Sequence, residues 1–391
     1  MKRALVAIAL IPICLYGVAW LVAVSVQQWY APGEWPLGLG TLKSSATRYP
    51  EEETNAAAQM LMTLTPPLGI STTPKTKAVP LPHSIDTWNE IKEPLDRFTH
   101  AELERIGDRL TAPPPEVAAF LVAHEGQINA VRNHVLTAGP IRWHQHASLG
   151  LDAPLPNLLG QMSLTKLFTA RALAKAANHD ATAWDDLHAV WLLDRELWKR
   201  PELISTLIAL ASTRMVNAAA TKMPLPVPAW FGEVQSLDYS RSFAASIQAD
   251  AATFARAART RFSEHKFQDI VMRPYTIACT ADLAETMRRW TGEMVANRRC
   301  DYTPPQTMSV ASWNIIGKIA MPNLTGSWQR VNRFRAEREA TDKILALRRG
   351  ETPSSTSQCS DGTWIVTPQS LKFSRDIGVP SGIKYPLTYQ K

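Results

Sequence analysis

Catalytic signatures are what this chain is short of. It has no G-x-S-x-G nucleophile elbow, no H-E-x-x-H zinc helix, no glycine-rich phosphate loop and no EF-hand loop. Cysteine is scarce, four in 391 residues, and none stand as a C-x-x-C pair, which excludes a zinc ribbon and a thioredoxin-like redox centre. Ser163-Leu164-Thr165-Lys166 matches the S-x-x-K of penicillin-recognising serine enzymes, but their S-D-N and K-T-G companions are missing. No motif asks for a cofactor. Acidic residues are too few around Arg241–Gly350, where 18 Lys and Arg face 10 Asp and Glu, so the formal charge of +7 is concentrated there.

Charge is absent altogether from residues 4–26, a run of 23 apolar or uncharged positions. At about 1.5 Å of rise per residue such a helix crosses a hydrocarbon core of about 30 Å. Lys2 and Arg3 precede it, and no cation follows until Lys43, so the positive-inside bias keeps the N-terminus cytoplasmic and sends the bulk of the chain to the periplasmic side of a bacterial inner membrane. The run exceeds the apolar core of a cleaved signal peptide, which favours a retained single-pass anchor. Trp29 and Tyr30 fall at headgroup level on the far side. An exported chain meets anionic lipid and acidic wall polymers first, so the basic surplus, with Arg330, Arg333, Arg335 and Arg338 on one helical stretch, points to anionic lipid and not to nucleic acid.

Export also permits a disulfide. If residues 277–296 form one helix, Cys279 and Cys300 stand roughly 30 Å apart, so the expected pair is Cys300 with Cys359.

Patterning predicts a mainly α architecture: anchor (1–30), juxtamembrane spacer and Pro-rich arm (31–83), helical exported domain (84–350) and a small β-rich tail (351–391). Pro113–Pro115 opens a helix whose apolar face runs from Val117 through Phe120 and Ile128 to Val135 and includes His124. Three amphipathic helices then follow between Asn157 and Met223 with short breaks, as in antiparallel hairpins stacked into a solenoid or an irregular bundle. Trp184, Trp191 and Trp198 recur every seven residues and read as packing between hairpins. Further helices are expected over 233–265, 275–297 and 323–349, and short strands after Gly350.

The anchor, the helices and the terminal sheet together resemble membrane-anchored helical envelope proteins of bacteria, a group with no activity attached. The type II secretion pseudopilins share the outline, but the chain lacks their processing glycine followed by Phe and the Glu inside the apolar run. The expected function is an envelope scaffold or assembly factor that binds a protein partner in a groove between hairpins. The alternative is an exported cell-wall hydrolase with a metal at His134, His144 and His146, the last two being alternate residues of an extended segment.

Overall fold

The computed structural model describes residues 14–25, 33–74, 84–146, 149, 153–260, 267–301, 309–321, 324–378 and 384–391. Of the expected anchor, Cys14–Ser25 forms an apolar helix, α1, shorter than the ~20 residues a span needs. Residues 4–13 and Val26, with Trp29 and Tyr30, lie outside the described residues.

Asn55 opens α3 (Ala56–Leu64), accepting the Ala58 N–H at 2.9 Å, after a short α2 (Ser44–Arg48). Next come α4 (Ser84–Glu104), α5 (Pro115–Ala123), α6 (Glu125–Thr137), α7 (Leu158–Ala177), α8 (Ala183–Leu197) and α9 (Leu203–Ala220). The chain continues through α10 (Phe231–Ser236), α11 (Tyr239–Thr260), α12 (Phe267–Ala296), α13 (Ile315–Ala320) and α14 (Leu324–Arg348). It closes with β1 (Trp364–Thr367), β2 (Ser370–Phe373) and β3 (Thr388–Gln390), an antiparallel sheet in the order β1-β2-β3. Trp364, Leu371, Phe373 and Tyr389 turn inward from it, while Ile365 and Lys372 face out.

The helix with the length and apolarity to cross a bilayer, among those described, is α9, and 78% of it is buried within the fold. It touches α4, α7, α8, α11 and α14. A solenoid helix packs only on its neighbours in sequence, so the contact with α14 makes this a bundle wrapped around α9. Trp184, Trp191 and Trp198 are core residues whose indole N–H groups donate to Pro224 O, Glu233 and Thr213.

Three expectations change. Residues 33–74 are not a free arm: Trp35, Leu39, Leu61, Leu68 and Ile70 join the main core, and the Gln248 amide on α11 donates to Thr41 O at 2.9 Å. Residues 75–83 of that arm lie outside the described residues. Gly160 on α7 leaves no room for a side chain because the Ser71 backbone crosses it there. The helix expected through Val117–Val135 breaks at His124 (φ −106°, ψ 15°), and the one expected over 233–265 breaks at Leu237, where Asp238 accepts the Arg241 N–H and starts α11. Residues 261–265 are outside the described set.

Arg214 on α9 grips Glu337 on α14 with two hydrogen bonds of 2.7 Å, and Arg333 donates to the same carboxylate at 3.1 Å. The other Arg333 nitrogens donate to Ile377 O and Tyr385 O, both 2.6 Å, which binds the tail to the bundle. Arg214 lies 5.0 Å above the Tyr385 ring. The tail is further fixed by a disulfide between Cys300 and Cys359 (Cα–Cα 5.3 Å) and by Glu339, which accepts from Gln358 N–H, Ser357 O–H and the Trp364 indole.

Two outcomes are expected in equilibrium unfolding. Glu337→Ala strands two buried guanidinium groups and costs about 3–5 kcal/mol; a loss below ~1 kcal/mol would mean the cluster relaxes into solvent. Asp250, which accepts the Leu203 N–H at 3.3 Å, has its carboxyl pushed up to about 7 by burial, against 3.8 in the unfolded chain. Between those values the folded state holds more protons, so this group's contribution falls as pH rises. Asp250→Asn is therefore expected to raise the melting temperature above pH 7 and to lose that advantage near pH 4.

Candidate functional site

The three histidines do not gather. His134 on α6 donates from Nε2 to Ala57 O at 2.7 Å, and His144 donates from Nε2 to Pro154 O at 2.8 Å. His146 sets Nδ1 2.9 Å from Glu51, on an extended segment that pairs Gln145 with Glu52. The His144 and His146 rings do share one face, centroids 5.9 Å apart. A ring nitrogen that donates its proton to a carbonyl has no lone pair for a metal. Burial holds the His144 imidazole below its ordinary pKa, consistent with a neutral hydrogen-bonding ring. Among the described residues, three potential ligand atoms converge within 4.8 Å only at Cys300, Cys359 and Asp361, where the two sulfurs are bonded to each other. The S-x-x-K residues also part company: Ser163 Oγ donates to Leu159 O on its own helix, and Lys166 pairs with Asp96 at 2.6 Å.

The arginines of α14 divide between the interior and the wall of a cleft. Arg333, expected at a lipid surface, is only 5% exposed, because its guanidinium closes the Glu337 cluster and two tail carbonyls. Arg338 donates to Leu237 O at 2.8 Å and covers the Tyr239 ring. Arg330 and Arg335 are part-buried on the same helix.

What the break at His124 creates is a groove. The His124 N–H closes α5 on Phe120 O, its ring lies 4.5 Å from that of Phe120, and the chain turns into α6 through Glu125 and Gly126. Ala118, Leu121 and Val122 then face the end of α7, at Arg171, Ala174 and Lys175, across a cleft of about 380 Å³. Val122 is 76% exposed. Behind the wall lies Asp186 of α8, fully buried, with Lys175 Nζ at 2.8 Å, Arg171 at 3.5 Å and Arg132 at 3.9 Å. Burial raises this carboxyl and the three cations act against that rise, so they are held in place around it. The lining residues offer no hydroxyl, thiol or imidazole. Such a surface can seat an apolar side chain between the charged rims formed by Glu125, Arg171, Lys175 and Asp180.

Sequence reasoning did not locate this groove. The available signal was Val122, an apolar residue off the buried Val117–Phe120 face, followed by Gly126, a poor helix former. Comparison with known proteins adds no relative: no family model, no curated protein and no solved structure matches the chain.

Treatment with a strong chelator is expected to leave the far-ultraviolet circular dichroism and the melting temperature unchanged, because His134, His144 and His146 do not converge on one point among the described residues. One zinc per chain by elemental analysis, lost in His144→Ala, would overturn that assignment.

Proposed function

We propose that this chain is a single-pass protein of the bacterial inner membrane, N-terminus cytoplasmic, whose periplasmic helical body is a scaffold that takes an apolar segment of a protein partner into the groove between α5 and α7. The observation that carries the reading is a formed cleft walled by Ala118, Leu121, Ala174 and the exposed Val122. A lone exposed aliphatic residue is ordinary, but a contiguous apolar wall marks an interaction site, and Ala118, Leu121, Val122 and Ala174 supply one here.

The membrane part rests on the uncharged run 4–26 and on the faces of α1. Trp20 and Ala23 pack on Ile277 and Ala278 of α12, while Leu15, Val18, Leu21 and Val22 remain exposed, as lipid-facing positions would. Close to that contact in sequence, α12 exposes Val271 and Met272, and the neighbouring α13 exposes Ile315 and Ile319, with Trp313 before it. The two are joined by the Tyr275 hydroxyl, which donates to Trp313 O at 2.9 Å. These side chains form an apolar skirt suited to an interface where Trp also prefers to sit. A bonded Cys300–Cys359 pair suits the oxidising side of the membrane.

A photo-reactive residue at position 122 in intact cells is expected to capture one reproducible partner. Val122→Asp should weaken its co-purification about tenfold or more, the scale of a central interface residue, whereas Ile365→Asp on the exposed face of β1 should not. Equal loss from both substitutions, or no captured partner, refutes the groove. A C-terminal reporter fusion active only in the cytoplasm refutes the topology.

A further inference from the structure

A second cleft, on the other side of the chain's chemistry, carries a binding site of a different kind. It has a volume of about 480 Å³ and lies where the C-terminal end of α12, the middle of α14 and the start of α11 meet. Three guanidinium groups line it, from Arg298, Arg335 and Arg338, against one lining carboxylate, Asp238. That carboxylate is engaged, since Asp238 accepts the Arg241 N–H as the cap of α11. The ordinary partner of Arg335 would be Glu339, four residues on along α14. Glu339 is turned away: one oxygen accepts the Gln358 N–H and the other accepts the Ser357 hydroxyl and the Trp364 indole. Arg335 is left with a buried Nη1 that no group among the described residues accepts from. Asp342, the next acid, is exposed on α14 and lies close enough to Arg338 for that charge to act on its carboxyl.

The walls are fixed. Arg298 stands two residues before Cys300 and Gln358 one residue before Cys359, so the disulfide ties both sides of the cleft, and the Ser360 N–H donates to Arg298 O at 3.0 Å. Arg338 is held by Leu237 O and by the Tyr239 ring beneath it. An unpartnered buried donor is costly, and a planar guanidinium fork matches two oxygens of a tetrahedral oxyanion.

The geometry points to a phosphate-binding site: the Arg298–Arg335–Arg338 cleft takes a phosphate group, free or esterified, from the three guanidinium groups that line it. The cleft exceeds the size of inorganic phosphate, which leaves space for the alcohol of an ester. The site is separate from the α5–α7 groove and does not depend on it.

The test is calorimetric titration of inorganic phosphate into the full chain in nanodiscs of phosphatidylcholine. Saturable one-to-one binding is expected, weakened about tenfold or more in Arg335→Gln and in the surface variant Arg298→Gln, both with wild-type melting temperatures. Absence of saturable binding overturns the proposal, as does equal affinity in wild type and Arg298→Gln. Repeating the titration in discs containing phosphatidylglycerol separates the sources. Weaker apparent phosphate binding there, with that competition relieved in both arginine variants, shows a lipid headgroup occupying the same site; unchanged affinity assigns the site to a soluble phosphate.

Discussion

Glu337 is the constraint on which the rest of the structure leans. One carboxylate, almost without solvent, holds two guanidinium groups from α9 and α14, and the second of these holds the tail. Such a cluster adds little net stability compared with an apolar one, because desolvation offsets most of the attraction, but it is strongly directional. It admits one register of α14 against α9. It also explains why a helix with the hydropathy of a membrane span is the axis of a folded body: Arg214 and Asn217 need partners that only a protein interior supplies.

The same device recurs at the helix ends. Lys222 donates to Arg105 O and Gly107 O just past α4, and Arg348 donates to Thr221 O and Met223 O just past α9. Carbonyls at a helix C-terminus lack intrahelical donors and carry partial negative charge, so a cation there satisfies both needs. Burial still pushes the Lys222 amine down to about 8, which shows how little solvent reaches it. Much of the basic surplus of the chain is therefore mortar for backbone carbonyls and not an outward field.

The helices were legible in the sequence, whereas the partners of the basic residues were not. Periodicity in α7, α8 and α9 is a local property, and their existence, order and tryptophan packing follow from it. The Cys300–Cys359 pairing followed from the length of one helix. Residues 33–74 looked like a spacer because Pro and Gly interrupt them, yet their turn carbonyls are satisfied by side chains about 200 positions away, such as Gln248 on Thr41 O. No local pattern records such a partner. Arg333 counted as surface charge for the same reason, since its neighbours Glu337, Ile377 and Tyr385 come from two segments. The groove was invisible because it is made by a helix break and by small residues on separate elements.

The bond between Cys300 and Cys359 closes 59 positions of chain into a covalent ring that contains α13 and α14. A protease that nicks the chain between those cysteines produces no free fragment. The two pieces stay tethered, with α14 still clamped to α9, so the body can survive surface cleavage there as a two-chain molecule until a reductant reaches the bond.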